Sequence, residues 1–181
     1  MDMDSVDNTP PATDATGRPE AQPHSTYART NGAEGSVALQ IQPVQFDTLA
    51  FFEALATSAR AHPDQYRRLG MTDIVLGVKV GAKAYRLVFE DYECTEVTTY
   101  EPSSHVDCEL EASREDWGEL IEHLAARGRA GSAHTLNSLV LASDRFHLTG
   151  EDQLGVDKFY RYNATLQLFF EETANVPLLP G

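Results

Sequence analysis

In the stretch that begins at Val106, apolar residues first recur at every second position and then at every third or fourth position. Val106, Cys108 and Leu110 alternate with charged residues, the pattern of a strand with one buried and one exposed face. Ser113 follows with an acidic residue three positions later, a capping box that predicts a helix start. From Trp117 onward, apolar residues recur at helical spacing. The stretch therefore predicts a half-buried strand that leads directly into an amphipathic helix.

Two helices are predicted before this stretch. Asp47 has the residue type and position of an N-cap, and Phe46 is placed to pack on Phe51 across the first turn. This helix should end near His62, because Pro63 disfavours helical geometry in the residue that precedes it. Pro63 itself suits the first position of a second, short helix.

Three strands are predicted between residues 71 and 101, where apolar residues again alternate with polar ones. Because the connections between successive strands are short, these strands and the one after Val106 predict an antiparallel meander. The inward positions of this sheet are almost wholly apolar: Ile74, Leu76, Val78, Leu87, Phe89 and Leu110.

The chain after the central helix predicts a helix at residues 133–142, a strand at 145–149 and a final helix from about 152 to 173. The final helix is rich in aromatic residues: Phe159, Tyr160, Tyr162, Phe169 and Phe170. Such side chains either fill a thick core or line a cavity. At helical spacing, a core is the more frequent outcome.

Residues 1–45 differ in composition from the rest of the chain. They contain five of the nine prolines, a single aromatic residue, and six acidic against two basic residues. A segment of this kind buries too little apolar surface to offset the entropy of ordering, so we expect it to be disordered or loosely docked. Val37, Leu39 and Ile41 alternate near its end and could form an edge strand. One domain is expected at residues 46–176, with a tail at 177–181.

The net charge of −14 excludes some classes of partner. A chain with 28 acidic and 14 basic residues is repelled by nucleic-acid backbones and by anionic membrane surfaces, so no nucleic-acid partner is expected. No apolar run is long enough to cross a bilayer, and no secretory signal is visible, so we expect a cytoplasmic protein without stable membrane insertion. Cys94 and Cys108 are expected to be reduced and buried, although a single bridge between neighbouring strands is left open.

Motifs that carry chemistry are weak in this sequence. The histidines lack metal-site spacing and no CxxC pair exists, so no metal is expected. No glycine-rich phosphate loop is present, and no cofactor is expected. Cys108 falls on the apolar face of its strand, which favours an inert core thiol over a nucleophile. The acidic turn at residues 90–93 is interpreted as solvated.

Three segments together resemble the sterol carrier protein 2-like domain family. They are YRLVFEDYECTEV, VDCELEASREDWGELI and FHLTGEDQL, the last followed by a long helical pattern. The residues that match the family's helix entry are Ser113, Glu115, Asp116 and Trp117. Those that match its last strand are Phe146, Leu148 and Gly150, with Glu151 and Asp152 in place of the usual Gly-Asp pair. The resemblance covers roughly residues 46–173.

The resemblance implies an α+β fold with a five-stranded, mainly antiparallel sheet covered on one face by helices. It also implies an apolar tunnel between the layers that binds a lipid, a fatty acyl group or a sterol-like small molecule, without catalysis. The aromatic surplus of the final helix and this resemblance together predict the residues that line the tunnel. They are Trp117, Leu120, Leu136, Leu139, Val140, Phe146, Phe159, Tyr162, Leu166 and Phe169.

Two alternatives stay open at this point. One is a small pocket enzyme of the nuclear transport factor 2-like kind, which would place a polar catalytic group inside a similar curved sheet. The apolar inward strand positions favour a binding protein over this enzyme. The other is a dimerisation module with a filled core, and homodimer formation is left open.

Overall fold

The computed structural model describes residues 42–101 and 103–180 of the chain. Within these residues, two helices come first, followed by four strands, two helices, a fifth strand and two further helices. The elements are α1 (Leu49–Ala61), α2 (Pro63–Leu69), β1 (Thr72–Val80), β2 (Lys83–Asp91), β3 (Glu93–Thr99), β4 (Cys108–Ala112), α3 (Arg114–Arg127), α4 (Leu136–Ala142), β5 (His147–Gly150), α5 (Gln153–Arg161), α6 (Asn163–Glu171) and a 3₁₀ helix (Glu172–Asn175).

The strands form one five-stranded sheet in the order β3-β2-β1-β4-β5. Three of its four pairings are antiparallel, and the pairing of β1 with β4 is parallel. The predicted α+β fold with a mainly antiparallel sheet is therefore confirmed. The six inward strand positions predicted from alternation are all buried, with exposed fractions of 0% or 1%.

The predicted antiparallel meander is wrong at its fourth strand, because β4 lies beside β1 and not beside β3. Asp107 fixes this placement through both its backbone and its side chain. Its N–H donates to the carbonyl oxygen of Val75 (2.8 Å), and its carboxylate accepts from the Val75 N–H (2.7 Å). The register then sets Leu110 opposite Val78, so the apolar face of β4 continues the apolar face of β1.

Helix α1 begins one residue later than predicted. Thr48 is its N-cap and accepts a hydrogen bond from the backbone N–H of Phe51 (3.3 Å). Asp47 is instead engaged in ion pairs, described below. The predicted contact across the first turn is present, because the rings of Phe46 and Phe51 meet edge to face at 6.5 Å. The helix ends at Ala61 with His62 as its C-cap, next to Pro63 as predicted.

The central helix α3 starts where the capping box predicted. The Ser113 hydroxyl accepts a hydrogen bond from the Asp116 N–H (3.0 Å) and donates one to the Asp116 carboxylate (2.5 Å). Trp117 is buried, and its indole N–H donates to the carbonyl oxygen of Lys79 in β1 (2.7 Å). Gly128 ends the helix in the left-handed conformation that glycine adopts without strain. These contacts fix α3 against the sheet.

The single final helix predicted for residues 152–173 is wrong, since the chain forms two helices that meet at Tyr162. Tyr162 leaves helical geometry, with φ −100° and ψ 11°. No proline or glycine marks this break, which arises because the two halves dock at different places. Lys158 in α5 contacts Asp107 at the start of β4 (3.0 Å), while Phe169 in α6 packs on Phe89 of β2 (5.1 Å between ring centres). Helix α4 likewise begins at Leu136, three residues later than predicted, because Thr135 caps it.

The ends of the described chain meet through one short pairing. Val44 forms a parallel bridge with Leu178, and both side chains are partly buried against the core. The alternating residues 37–41, predicted as an edge strand, lie outside the described residues. Among the residues described, no helix combines the length and the apolar character that crossing a membrane requires.

Candidate functional site

The ten residues predicted to line an apolar tunnel lie in or against one hydrophobic cluster between the sheet and the helices. Val140 and Tyr162 are partly buried and pack against this cluster. The other eight have exposed fractions between 0% and 7%: Trp117, Leu120, Leu136, Leu139, Phe146, Phe159, Leu166 and Phe169. The structure thus brings together residues from the chain between α3 and α6, including Phe146 just before β5.

Aromatic rings occupy the centre of this cluster. Trp117 lies between Phe146, at 5.0 Å between ring centres, and Phe170, at 5.3 Å. Phe169 packs edge to face on Phe170 at 5.8 Å and on Phe89 at 5.1 Å. These are the distances of directly contacting aromatic pairs. Phe89 and Phe170 were missing from the predicted lining, although alternation and helical spacing had placed both on apolar faces.

A surface groove lies beside this core, between α2, α4 and α6, with a volume of about 560 Å³. We call it the α2–α4–α6 groove. Its lining contains none of the ten predicted residues and consists mostly of polar residue types: Gln65, Arg68, Leu69, Thr135, Asn137, Asn163, Ala164, Gln167, Leu168 and Glu171. Sequence reasoning missed this groove because its polar residues come from three helices far apart in the chain.

Two side chains of α6 fix the walls of the α2–α4–α6 groove. Gln167 accepts a hydrogen bond from the backbone N–H of Leu136 at the start of α4 (2.8 Å). Glu171 accepts from the Ala130 N–H (2.9 Å) and from the Gln167 side-chain amide (3.2 Å). These bonds tie α4 and the segment before it to α6.

A buried carboxylate joins α1, α2 and the 3₁₀ helix on another side of the core. Glu172 is only 3% exposed and accepts hydrogen bonds from Ser58 (2.6 Å), Asn175 (2.8 Å) and Tyr66 (3.4 Å), with His62 Nδ1 at 3.2 Å. Burial, and then the charge of Glu172, raise the pKa of Tyr66. Ser58 and His62 both contact the carboxylate rather than each other, so these groups do not form a nucleophile with its base. The network holds α1, α2 and the 3₁₀ helix together, and no sequence motif indicated it.

The two cysteines are buried and free, as predicted. The bridge left open by the sequence is excluded by topology, since β1 and β2 lie between Cys94 in β3 and Cys108 in β4. Burial raises the pKa of each thiol to about 12, so both are protonated at neutral pH and suited to packing rather than to nucleophilic attack. Within residues 42–101 and 103–180, no cluster of three or more histidine, cysteine or acidic side chains has metal-site geometry.

Asp47 is a nearly buried acidic residue that is paired with two basic side chains. Its carboxylate accepts from Arg114 Nε (2.8 Å) and from Lys83 Nζ (3.0 Å), and its own side chain is 7% exposed. Burial alone would raise the pKa of this carboxyl group, but the hydrogen bonds from Arg114 and Lys83 outweigh burial and lower it. This ion-pair cluster joins the start of α1 to β2 and α3, which is a structural role.

No protein-family model matches the sequence, and a search of curated proteins gave no match. The fold, in contrast, is similar to solved structures. A crystal structure of sterol carrier protein 2 matches with a TM-score of 0.53 and 18% identity, over 73% of this chain and 99% of that chain. A solution structure of a conserved hypothetical protein from Thermus thermophilus, described as possibly a sterol carrier protein, matches with a TM-score of 0.50. Its identity is 18%, over 74% of this chain and 91% of that chain. At these identities the likeness establishes the fold.

Proposed function

We propose that this chain, which has a sterol carrier protein 2-like fold, is a non-catalytic carrier that binds a hydrophobic small molecule in its interior. The ligand would have an acyl or sterol-like apolar body. The observation that carries this proposal is the fold itself, which spans 99% of the sterol carrier protein 2 chain. The nuclear transport factor 2-like alternative receives no support from these comparisons.

The proposed binding region is the interior between α4, α6 and the sheet. An apolar ligand gains free energy by leaving water, at roughly 25 cal/mol per Å² of buried apolar surface, and this interior offers an apolar surrounding throughout. Its centre is filled by aromatic rings, so ligand entry requires some of these side chains to move. In this proposal the wall residue that moves is Leu139, which lies on the short helix α4 and is 7% exposed.

Helix α4 is well suited to be this movable wall. It has seven residues, buries only Leu136 and Leu139, and carries Leu141 at 71% exposure on its outer side. Gln167 and the Thr135 cap accept hydrogen bonds from the backbone N–H groups of its first turn, whereas its last residues lie close to the exposed residue Asp144. In this proposal the C-terminal half of α4 moves away from α6 while its first turn stays in place.

A substitution that fills the interior is expected to have different effects on ligand affinity and on the free energy of unfolding, and both can be measured. Leu139→Trp adds volume at a 7% exposed position, while Leu154→Trp adds the same volume at a 65% exposed position in α5 and is the matched control. We expect saturable binding of a fluorescent fatty acid by the wild-type protein and by Leu154→Trp, and about tenfold weaker binding by Leu139→Trp. Unfolding by urea is measured on the same samples. If a cavity opens there, Leu139→Trp costs little stability; in a closed core, overpacking costs about 1–3 kcal/mol.

The proposal is contradicted if the wild-type protein shows no saturable binding and Leu139→Trp is strongly destabilised. The interior would then be a closed core, and the molecule would have the fold of a carrier without its binding function.

A further inference from the structure

Two histidine rings stack face to face beside the chain that joins α3 to α4. The ring of His123 in α3 and the ring of His134 lie 3.8 Å apart between centres, with 10° between their planes. Gly131 lies against both rings, since a Cβ atom there would be 3.6 Å from His123 Nε2 and 3.9 Å from His134 Nδ1. We call residues 128–135 the α3–α4 segment. The His123 ring is therefore a surface of α3 on which this segment rests.

One hydrogen bond fixes the protonation state of the His123 ring. The backbone N–H of Gly131 donates to His123 Nε2 (3.2 Å). A ring nitrogen accepts a hydrogen bond only when it carries no proton, so the ring in this contact is neutral and its proton is on Nδ1. A second proton would have to go on Nε2, where it would face the Gly131 N–H. Protonation of His123 therefore removes the hydrogen bond and sets two donors against each other.

The charges around His123 also disfavour a positive ring. His134 stacks on it, and Arg127 follows one turn later in α3. Glu119, one turn earlier, is the acidic group that favours the charged ring, but its carboxylate is already paired with Arg145. Partial burial, followed by the charges of His134 and Arg127, lowers the pKa of His123.

Acid should therefore favour the detached segment. Because docking of the segment lowers the pKa of His123, the ring binds its proton more tightly when the segment is detached. The contact is complete above about pH 6.5, the ordinary pKa of a histidine, and is progressively lost as the pH falls from there through the folded pKa. Each pH unit between the two pKa values shifts the ratio of docked to detached segment by up to about tenfold.

The α3–α4 segment also holds the start of α4. The Ser138 hydroxyl in the first turn of α4 donates to the carbonyl oxygen of Ser132 (2.6 Å). Nearer to α3, the Ala130 N–H donates to the Glu171 carboxylate of α6 (2.9 Å). Helix α4 itself has no charged side chain. Loss of the His123 contact therefore frees the part of the segment that leads into α4, while Ala130 stays bound to α6.

We propose that His123 is an acid-sensitive switch: its protonation at Nε2 releases residues 131–135 from α3 and loosens the start of α4. The switch goes beyond the proposed carrier function and does not depend on it, because it operates in the protein without a ligand. In a carrier whose movable wall is α4, the same step would weaken ligand binding in acid.

Hydrogen exchange followed by NMR on the full-length, ¹⁵N-labelled protein without ligand tests the switch. The protection factor of the Gly131 amide, corrected for the intrinsic pH dependence of exchange, should fall about fivefold or more between about pH 7.5 and about pH 5. That of the Ile121 amide, inside α3, should not change in this way. The imidazole resonances of His123 should titrate with the same midpoint as the backbone shifts of the α3–α4 segment.

Two substitutions at His123 separate its charge from its packing. His123→Gln retains an acceptor for the Gly131 N–H and cannot gain a charge, so the Gly131 amide should stay protected at both pH values. His123→Lys has a positive charge and no acceptor, so protection should be low at both. His147→Gln removes an exposed histidine in β5 and is the matched control, which should respond to acid as the wild type does.

The inference is overturned if the Gly131 amide of the wild type is equally protected at both pH values. It is also overturned if His123→Gln loses this protection in acid as the wild type does. Circular dichroism confirms that each variant is folded, and the wild-type titration decides the question without any variant.

Discussion

The backbone of Gly155 packs directly against the carbonyl oxygen of Asp107, and a Cβ atom at position 155 would lie 1.9 Å from that oxygen. This contact lets the first turn of α5 approach the start of β4. There, Lys158 reaches the Asp107 carboxylate at 3.0 Å. Two segments that are distant in the sequence are thereby docked with no side chain between them. The relationship depends on glycine being the residue without a Cβ.

Gly155→Ala should therefore destabilise the protein strongly. Because the obstacle is backbone rather than a flexible side chain, either α5 or the Asp107 segment must shift, and we expect a loss of about 3 kcal/mol or more. Urea denaturation measures this loss. Gly118→Ala is the control: its Cβ would lie 3.7 Å from the Phe46 ring, an ordinary contact inside α3. That variant should be stabilised by about 0.5–1 kcal/mol, since alanine favours a helix more than glycine. Equal stability of the two variants would show that α5 does not dock as closely as described.

The Ser113 cap should contribute measurably to stability although it lies at the surface. Ser113→Ala removes the acceptor of the Asp116 N–H and should cost about 1 kcal/mol, the usual loss for an N-cap. Ser103→Ala, which changes an exposed serine outside any helix or strand, should cost much less. An unchanged denaturation midpoint in Ser113→Ala would mean that α3 does not depend on this cap.

The ion pairs of Asp47 predict how stability depends on pH. The folded-state pKa of Asp47 is lowered, so its contribution to stability is fully present above its unfolded pKa of about 3.9 and is lost as pH falls through the folded value. Asp47→Asn removes this contribution. We therefore expect the variant to be less stable by about 1–2 kcal/mol at pH 7 and the difference to shrink below about pH 4. A difference that stays constant from pH 7 to pH 3 would contradict this assignment.

The sequence predicted those features that depend on neighbours in the chain. The Ser113 cap, the end of α1 before Pro63 and the inward face of β1 all follow from local spacing. The parallel placement of β4 could not be predicted, because it depends on hydrogen bonds between Asp107 and Val75, 32 residues apart. The break at Tyr162 was missed for the same reason, since tertiary docking rather than a helix-breaking residue produces it.

The two candidate sites also differ in whether local spacing or tertiary structure determines them. The burial of the ten predicted lining residues follows from apolar side chains at regular spacing, which does not tell a filled core from a cavity, so their role in binding stays a prediction. The α2–α4–α6 groove was not found, because Arg68, Asn137 and Asn163 are ordinary surface residue types that only the fold brings together.

Residues 1–45 remain predicted to be a segment that the folded domain does not need. This rests on their proline content and on their low number of aromatic residues. Deleting residues 1–35 should leave the melting temperature within about 3 °C of that of the full chain, a shift that corresponds to less than about 1 kcal/mol. A much larger decrease, measured by differential scanning calorimetry, would show that this segment contributes to the core.

Native mass spectrometry of the full-length protein purified from cells tests the carrier proposal most directly. The account predicts a population whose mass exceeds that of the chain by one small molecule that is released by organic solvent. After its removal, the protein should take up a fatty acid or sterol from a lipid extract, and Leu139→Trp should take up much less. A mass equal to that of the chain alone, both as purified and after incubation with the extract, would contradict the proposal.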